Sequence, residues 1–106
     1  MIKSSVDLRG LQPQMCLAYL IASQCYEKHG YTCVITSASD SKHGPNSLHY
    51  CGKALDIRTR DLQGLVKVTL RDEIADALGP QFDVVLESDH IHMEFDPKEE
   101  RRGDAD

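Results

Sequence analysis

The chain has 106 residues, with 12 Lys plus Arg against 17 Asp plus Glu, for a formal charge of −5 at pH 7. This acidic balance excludes a nucleic-acid binder that works by counterion release and argues against attachment to anionic lipid. No run approaches the ~20 consecutive apolar residues that a membrane span needs, so no membrane insertion is expected.

The length predicts one domain, over residues 1–97. The stretch 98–106 carries charges of both signs and no apolar face, and reads as a disordered tail. The first residues, MIKSSVDLRG, contain no apolar signal core, so synthesis in the cytoplasm without a signal peptide is expected. The four cysteines, Cys16, Cys25, Cys33 and Cys51, form no CxxC pair. Free, mostly buried thiols are the expectation.

In chain order, an opening loop ends at Gln12-Pro13, where Pro suits the first position of a helix. The helix is predicted to run from Pro13 to His29, with Gly30 as its stop. Leu17, Leu20, Ile21 and Gln24 recur at helical spacing, and Met15 and Cys16 widen the apolar side. Tyr31 to Thr36 is rich in β-branched residues and reads as a buried strand. The next segment, residues 37–52, is polar and full of turn formers. Loops of that length in a small domain tend to be functional.

Lys53 to Arg60 alternates, with Ala54, Asp56 and Arg58 on one face and Leu55 and Ile57 on the other. A second helix is predicted over residues 65–78, turning Leu70, Ile74, Ala77 and Leu78 inward and stopping at Gly79-Pro80. Phe82 to Phe95 reads as two strands with a break near Ser88-Asp89. The expected fold is α+β: a small antiparallel sheet with helices packed on one face and a zinc site at the sheet.

Four of the five histidines fall in two segments, SLHYCGKALD over residues 47–56 and DHIHME over residues 89–94, or just before them. His49, Asp56 and His92 offer two imidazoles and one carboxylate, a donor set suited to one zinc ion with a position left for water. Hydrolysis also needs a base, and Asp89 is the candidate. Asp89 and His92 face opposite ways in a continuous strand, so the proposal requires a bend near residues 88–90. His90 shares a strand face with His92 and is placed to donate to a developing oxyanion. Glu94 lies on that face too and is placed to orient a ligand histidine. The plainer alternative is an Asp56 paired with Arg58 or Arg60, beside surface histidines.

The segment SLHYCGKALD matches the S-x-H-x-x-G-x-A-x-D motif of the zinc D-alanyl-D-alanine peptidase superfamily at every defined position. That group includes the vancomycin-resistance dipeptidases and D-Ala-D-Ala carboxypeptidases, and the phage L-alanyl-D-glutamate endopeptidases. DHIHME resembles its closing motif, in which an acidic residue three places before the last zinc-binding histidine is the base. The likeness extends over most of residues 8–97, through a leading helix, the Ile35-Thr36-Ser37 strand end and a closing strand pair.

The resemblance implies His49, Asp56 and His92 as zinc ligands, Asp89 as general base, and Ser47 and His90 as supporting residues. It implies a hydrolase acting on peptidoglycan stem peptides, a phage or prophage lysis enzyme released by a holin-type partner or carried on the virion. One departure stands out. Many members carry an Arg shortly after the Ile-Thr-Ser strand end, whereas this chain has Ala38-Ser39-Asp40-Ser41-Lys42-His43. Lys42 and His43 are the candidates to replace it. A zinc-binding module without turnover, and a phage tail domain that keeps leftover motifs, remain open alternatives.

Overall fold

The computed structural model describes residues 1–4, 6–38 and 52–97. Ser47, His49, His43, Lys42 and the expected tail at 98–106 lie outside the described residues. The elements follow in the order α1 (Pro13–Lys28), β1 (Ile35–Ala38), β2 (Ala54–Arg58), α2 (Val66–Leu78), β3 (Phe82–Leu86) and β4 (His90–Phe95). The four strands form one antiparallel sheet in the order β1-β2-β4-β3. The expected α+β class is what the chain adopts.

Helix α1 starts with Pro13 at its first position and ends in a Schellman turn. There the Tyr31 amide donates to the Tyr26 carbonyl and the Gly30 amide to the Glu27 carbonyl, at 3.0 and 2.9 Å. Gly30 takes φ of +86°, a conformation open to glycine at little cost.

The buried face of α1 differs from the one expected. Met15, Ala18, Ala22 and Tyr26 are buried, while Leu17 and Leu20 are more than half exposed and Cys16 is exposed. The reason is the small size of Ala18 and Ala22, which lets the helix axis approach the sheet more closely than a leucine face would. The Tyr26 hydroxyl then reaches across to donate to the Arg58 carbonyl at 2.7 Å. Burial raises its pKa above the usual phenol range.

Strand β1 lies later than expected, at Ile35–Ala38 instead of Tyr31 to Thr36. Cys33 and Val34 are buried but outside the ladder. Residues 1–3 run beside the start of β1. An Ile2–Ile35 bridge, with the Lys3 amide donating to the Ile35 carbonyl at 2.9 Å, covers that edge. A bulge at Thr36 shifts the β1–β2 register, so that Ser37 stands opposite Asp56.

The core side of the sheet carries Ile35, Leu55, Ile57, Val84, Ile91 and Met93, all buried. Both helices pack there: α1 against β2 and β4, α2 against β3, and the two helices against each other. Leu70 and Ile74 of α2 are buried as expected, but Ala77 is exposed. Glu73 of α2 ties the helices together, accepting from His29 at 3.2 Å and pairing with Lys28 at 3.3 Å. The His29 hydrogen bond and then the Lys28 charge hold its carboxyl below the usual carboxylate range.

Candidate functional site

Alternation along β2 and β4 sends every second side chain away from the helices. Those residues are Ala54, Asp56 and Arg58 on β2, and His90, His92 and Glu94 on β4. The register pairs Asp56 with His92, Arg58 with His90 and Ala54 with Glu94. Two positions far apart in the chain thus become direct neighbours on the sheet face turned away from the helices.

His92 is held at both ring nitrogens. Its Nδ1 lies 2.8 Å from Asp56 Oδ1 and its Nε2 lies 3.1 Å from Glu94 Oε1. The Asp56 hydrogen bond is the largest cause of a His92 pKa raised to about 9, with Glu94 adding to it against partial desolvation. His90 Nε2 sits 3.7 Å from the other Asp56 oxygen. The Asp56 carboxylate therefore engages imidazoles, and the alternative in which it pairs with Arg58 or Arg60 is not what forms.

Strand β3 and strand β4 are joined by a bend at Ser88-Asp89, closed by the Glu87 amide donating to the His90 carbonyl at 2.8 Å. The bend that a base at Asp89 requires is present. The Asp89 carboxylate is largely exposed and lies 2.7 Å from His90 Nδ1. Asp89, His90 and Asp56 line one cleft of about 360 Å³, together with Arg58, Arg60, Lys3 and the hydroxyl residues Thr36 and Ser37.

Gly52, the glycine of the SLHYCGKALD segment, has a backbone role. Its φ is +70°, and a Cβ there would overlap the Gly10 carbonyl oxygen. The Gln12 amide donates to the Gly52 carbonyl at 3.0 Å, which pins the start of α1 beside the start of β2.

Asp56 and His92 fit a zinc ion as two donors of a three-donor set, one carboxylate and one imidazole on facing strands. His49, the third expected donor, lies outside the described residues, as do Ser47, Lys42 and His43. Among the described residues, no group of three or more His, Cys, Asp or Glu side chains is arranged to hold a metal ion. No described helix is long and apolar enough to cross a membrane. Lys3 in the cleft was not anticipated, because its position depends on the Ile2–Ile35 bridge, which no sequence motif announces. No protein-family model matches the chain, and no curated protein matches its sequence.

Proposed function

We propose that the protein is a zinc-dependent peptidase that hydrolyses a peptide bond in the stem peptides of bacterial peptidoglycan. One observation carries this reading: Asp56 and His92, 36 residues apart and both expected as ligands, meet at 2.8 Å on the sheet face turned away from the helices. His49, Asp56 and His92 would hold the zinc ion. When bound, zinc lowers the pKa of a water and polarises a carbonyl. Bound there, the ion would require the His92 imidazole in its neutral form.

The remaining work falls to the chain's own side chains. Asp89, exposed at the bend, takes the proton of the attacking water and returns it to the leaving amine. His90 is oriented by Asp89 through Nδ1. If Nδ1–H is donated to Asp89, Nε2 of the neutral ring is an acceptor. His90 then assists a developing oxyanion only as the imidazolium. Glu94 fixes the ring of His92 from the far side. In the cell this chemistry suits a phage or prophage lysis enzyme that reaches the wall through a holin-type partner, or a virion-borne one.

The test is mass spectrometry of defined stem peptides incubated with the purified protein, with and without a zinc chelator. A chelator-sensitive product is expected, and its mass names the bond. Asp89→Ala should retain bound zinc and lose most turnover. Wild-type turnover in that variant would remove Asp89 as the base, and no product from zinc-loaded protein would refute the peptidase reading.

A further inference from the structure

The cleft beside Asp56 is built unevenly in charge. Its two carboxylates are engaged, Asp56 by His92 at 2.8 Å and Asp89 by His90 at 2.7 Å. Its three cations, Lys3, Arg58 and Arg60, have no ion pair among the described residues. This is unexpected in a chain of net charge −5, which has acidic partners to spare. Three cations in one cleft whose carboxylates face histidines repel one another, and an anion placed among them relieves that repulsion.

The geometry also says where such an anion would sit. Arg58 is two residues along β2 from Asp56 and on the same face, one residue-pair repeat away. Arg58 is half-buried, its register partner is His90, and it lines the cleft together with Asp56, Asp89 and His90. The planar guanidinium fork matches a carboxylate through two parallel hydrogen bonds. Lys3 lines the same cleft, held beside β1 by its backbone N–H, which donates to the Ile35 carbonyl at 2.9 Å. The Thr36 and Ser37 hydroxyls donate to the Asp56 and Ala38 carbonyls, so their lone pairs are left to accept a peptide N–H. A volume of about 360 Å³ is at the lower end for a ligand pocket and suits a short peptide segment.

We infer that Arg58, Arg60 and Lys3 form a carboxylate-binding subsite, and that the substrate carries a free carboxylate next to the bond that is cut. Arg58 and Arg60 reach the site from β2 and its C-terminal end, and so supply a cation that the segment after β1 lacks as an arginine. That the ligand is a stem peptide rests on the peptidase reading above. The carboxylate has two possible sources in such a peptide: the α-carboxylate of D-Glu and the carboxy terminus.

The experiment uses the zinc-loaded full chain and three forms of the pentapeptide L-Ala-γ-D-Glu-L-Lys-D-Ala-D-Ala, which contains each candidate bond: the free acid, the D-Glu α-carboxamide and the carboxy-terminal amide. Cleavage gives KM and kcat, and calorimetry gives Kd for any form that is not cleaved. One of the two amides is expected to raise KM or Kd roughly tenfold or more, the scale of a lost charge-assisted hydrogen bond, with kcat little changed. Which amide does so names the source. Arg58→Ala should abolish the discrimination, Arg58→Lys should keep part of it, and the exposed Arg60→Ala serves as a second variant whose folding is not at issue.

Equal KM for all three forms overturns the subsite while leaving the peptidase standing. Unequal Kd without any cleavage supports the subsite and overturns the peptidase. Equal Kd without cleavage overturns both. Discrimination that survives in both Arg58→Ala and Arg60→Ala moves the carboxylate elsewhere and overturns the assignment.

Discussion

The Asp56–His92 pair makes the stability of the zinc-free protein depend on pH in a calculable direction. The His92 pKa lies at about 9 in the folded chain against 6.5 for an ordinary histidine, chiefly because the Asp56 carboxylate accepts a hydrogen bond from its ring N–H. The folded state therefore holds that proton more tightly than the unfolded state. The resulting stabilisation is complete below pH ~6.5 and is lost as pH rises through about 9. Taken in full, the shift amounts to about 3 kcal/mol at 1.36 kcal/mol per unit. The His92 side chain is 32% exposed, and solvent screening reduces the expected contribution to about 1–2 kcal/mol.

Roughly three-quarters of that contribution should be gone by pH 8.5. This window avoids Cys33, whose thiol burial pushes up to about 12 and whose unfolded counterpart ionises near 9. The assay is urea denaturation of chelator-treated protein at pH 6.5, 7.5 and 8.5, beside Asp56→Asn. Wild type should lose stability across the window and Asp56→Asn should lose much less. Zinc reverses the sign, because a ligand imidazole must be neutral: its affinity should rise with pH, and binding at pH 7 should release a proton. A flat wild-type profile, or the same slope in Asp56→Asn, would refute the reasoning.

Three further expectations concern the scaffold. Tyr26→Phe removes a buried hydroxyl that donates to the Arg58 carbonyl at 2.7 Å. It should cost about 1–2 kcal/mol in urea denaturation, and an unchanged midpoint would contradict that bond. Gly52→Ala should cost about 3 kcal/mol or more, from positive φ and overlap with the Gly10 backbone together. Gly10→Ala, with φ of +82° but open space around it, should cost only the conformational part, so equal losses in the two variants would dismiss the overlap. Maleimide labelling of the native protein, read by mass spectrometry, should mark exposed Cys16 quickly and spare buried Cys33. Fast labelling of Cys33 would displace it from the core.

Much of the frame was legible in the sequence where a local rule decided it. Period-two alternation separated Leu55 and Ile57 from Asp56 and Arg58, and the Ser88-Asp89 break marked the bend before β4. Gly30 and Pro13 bounded α1. The inward face of α1 was not legible, because apolar residues surround that helix and the choice is made by how close it can approach the sheet. Ala18 and Ala22 win that choice by size, although leucines bury more surface. The start of β1 depends on a partner, the segment at residues 1–3, that β propensity does not describe. For the site, residue types and spacing pointed to Asp56 and His92. Spacing could not announce Lys3, or show that Arg58 would make no ion pair among the described residues.

The alignment of Asp56 with His92 is itself enforced from the opposite side of the sheet. Strand side chains alternate, so a slip of one residue between β2 and β4 would turn Leu55 and Ile57, or Ile91 and Met93, toward water. All four are at most 1% exposed. Exposing two of them would cost on the order of 3–6 kcal/mol at 1.5–3 kcal/mol per side chain. That is a large share of the ~5–15 kcal/mol that holds a domain of this kind together. The polar contact between Asp56 and His92 is worth less than that and does not need to set its own geometry. The apolar face fixes the register, and the carboxylate and imidazole meet as its consequence. The site face is then free to carry groups that would be costly in a core: a proton shared by Asp56 and His92, and arginines that make no ion pair among the described residues.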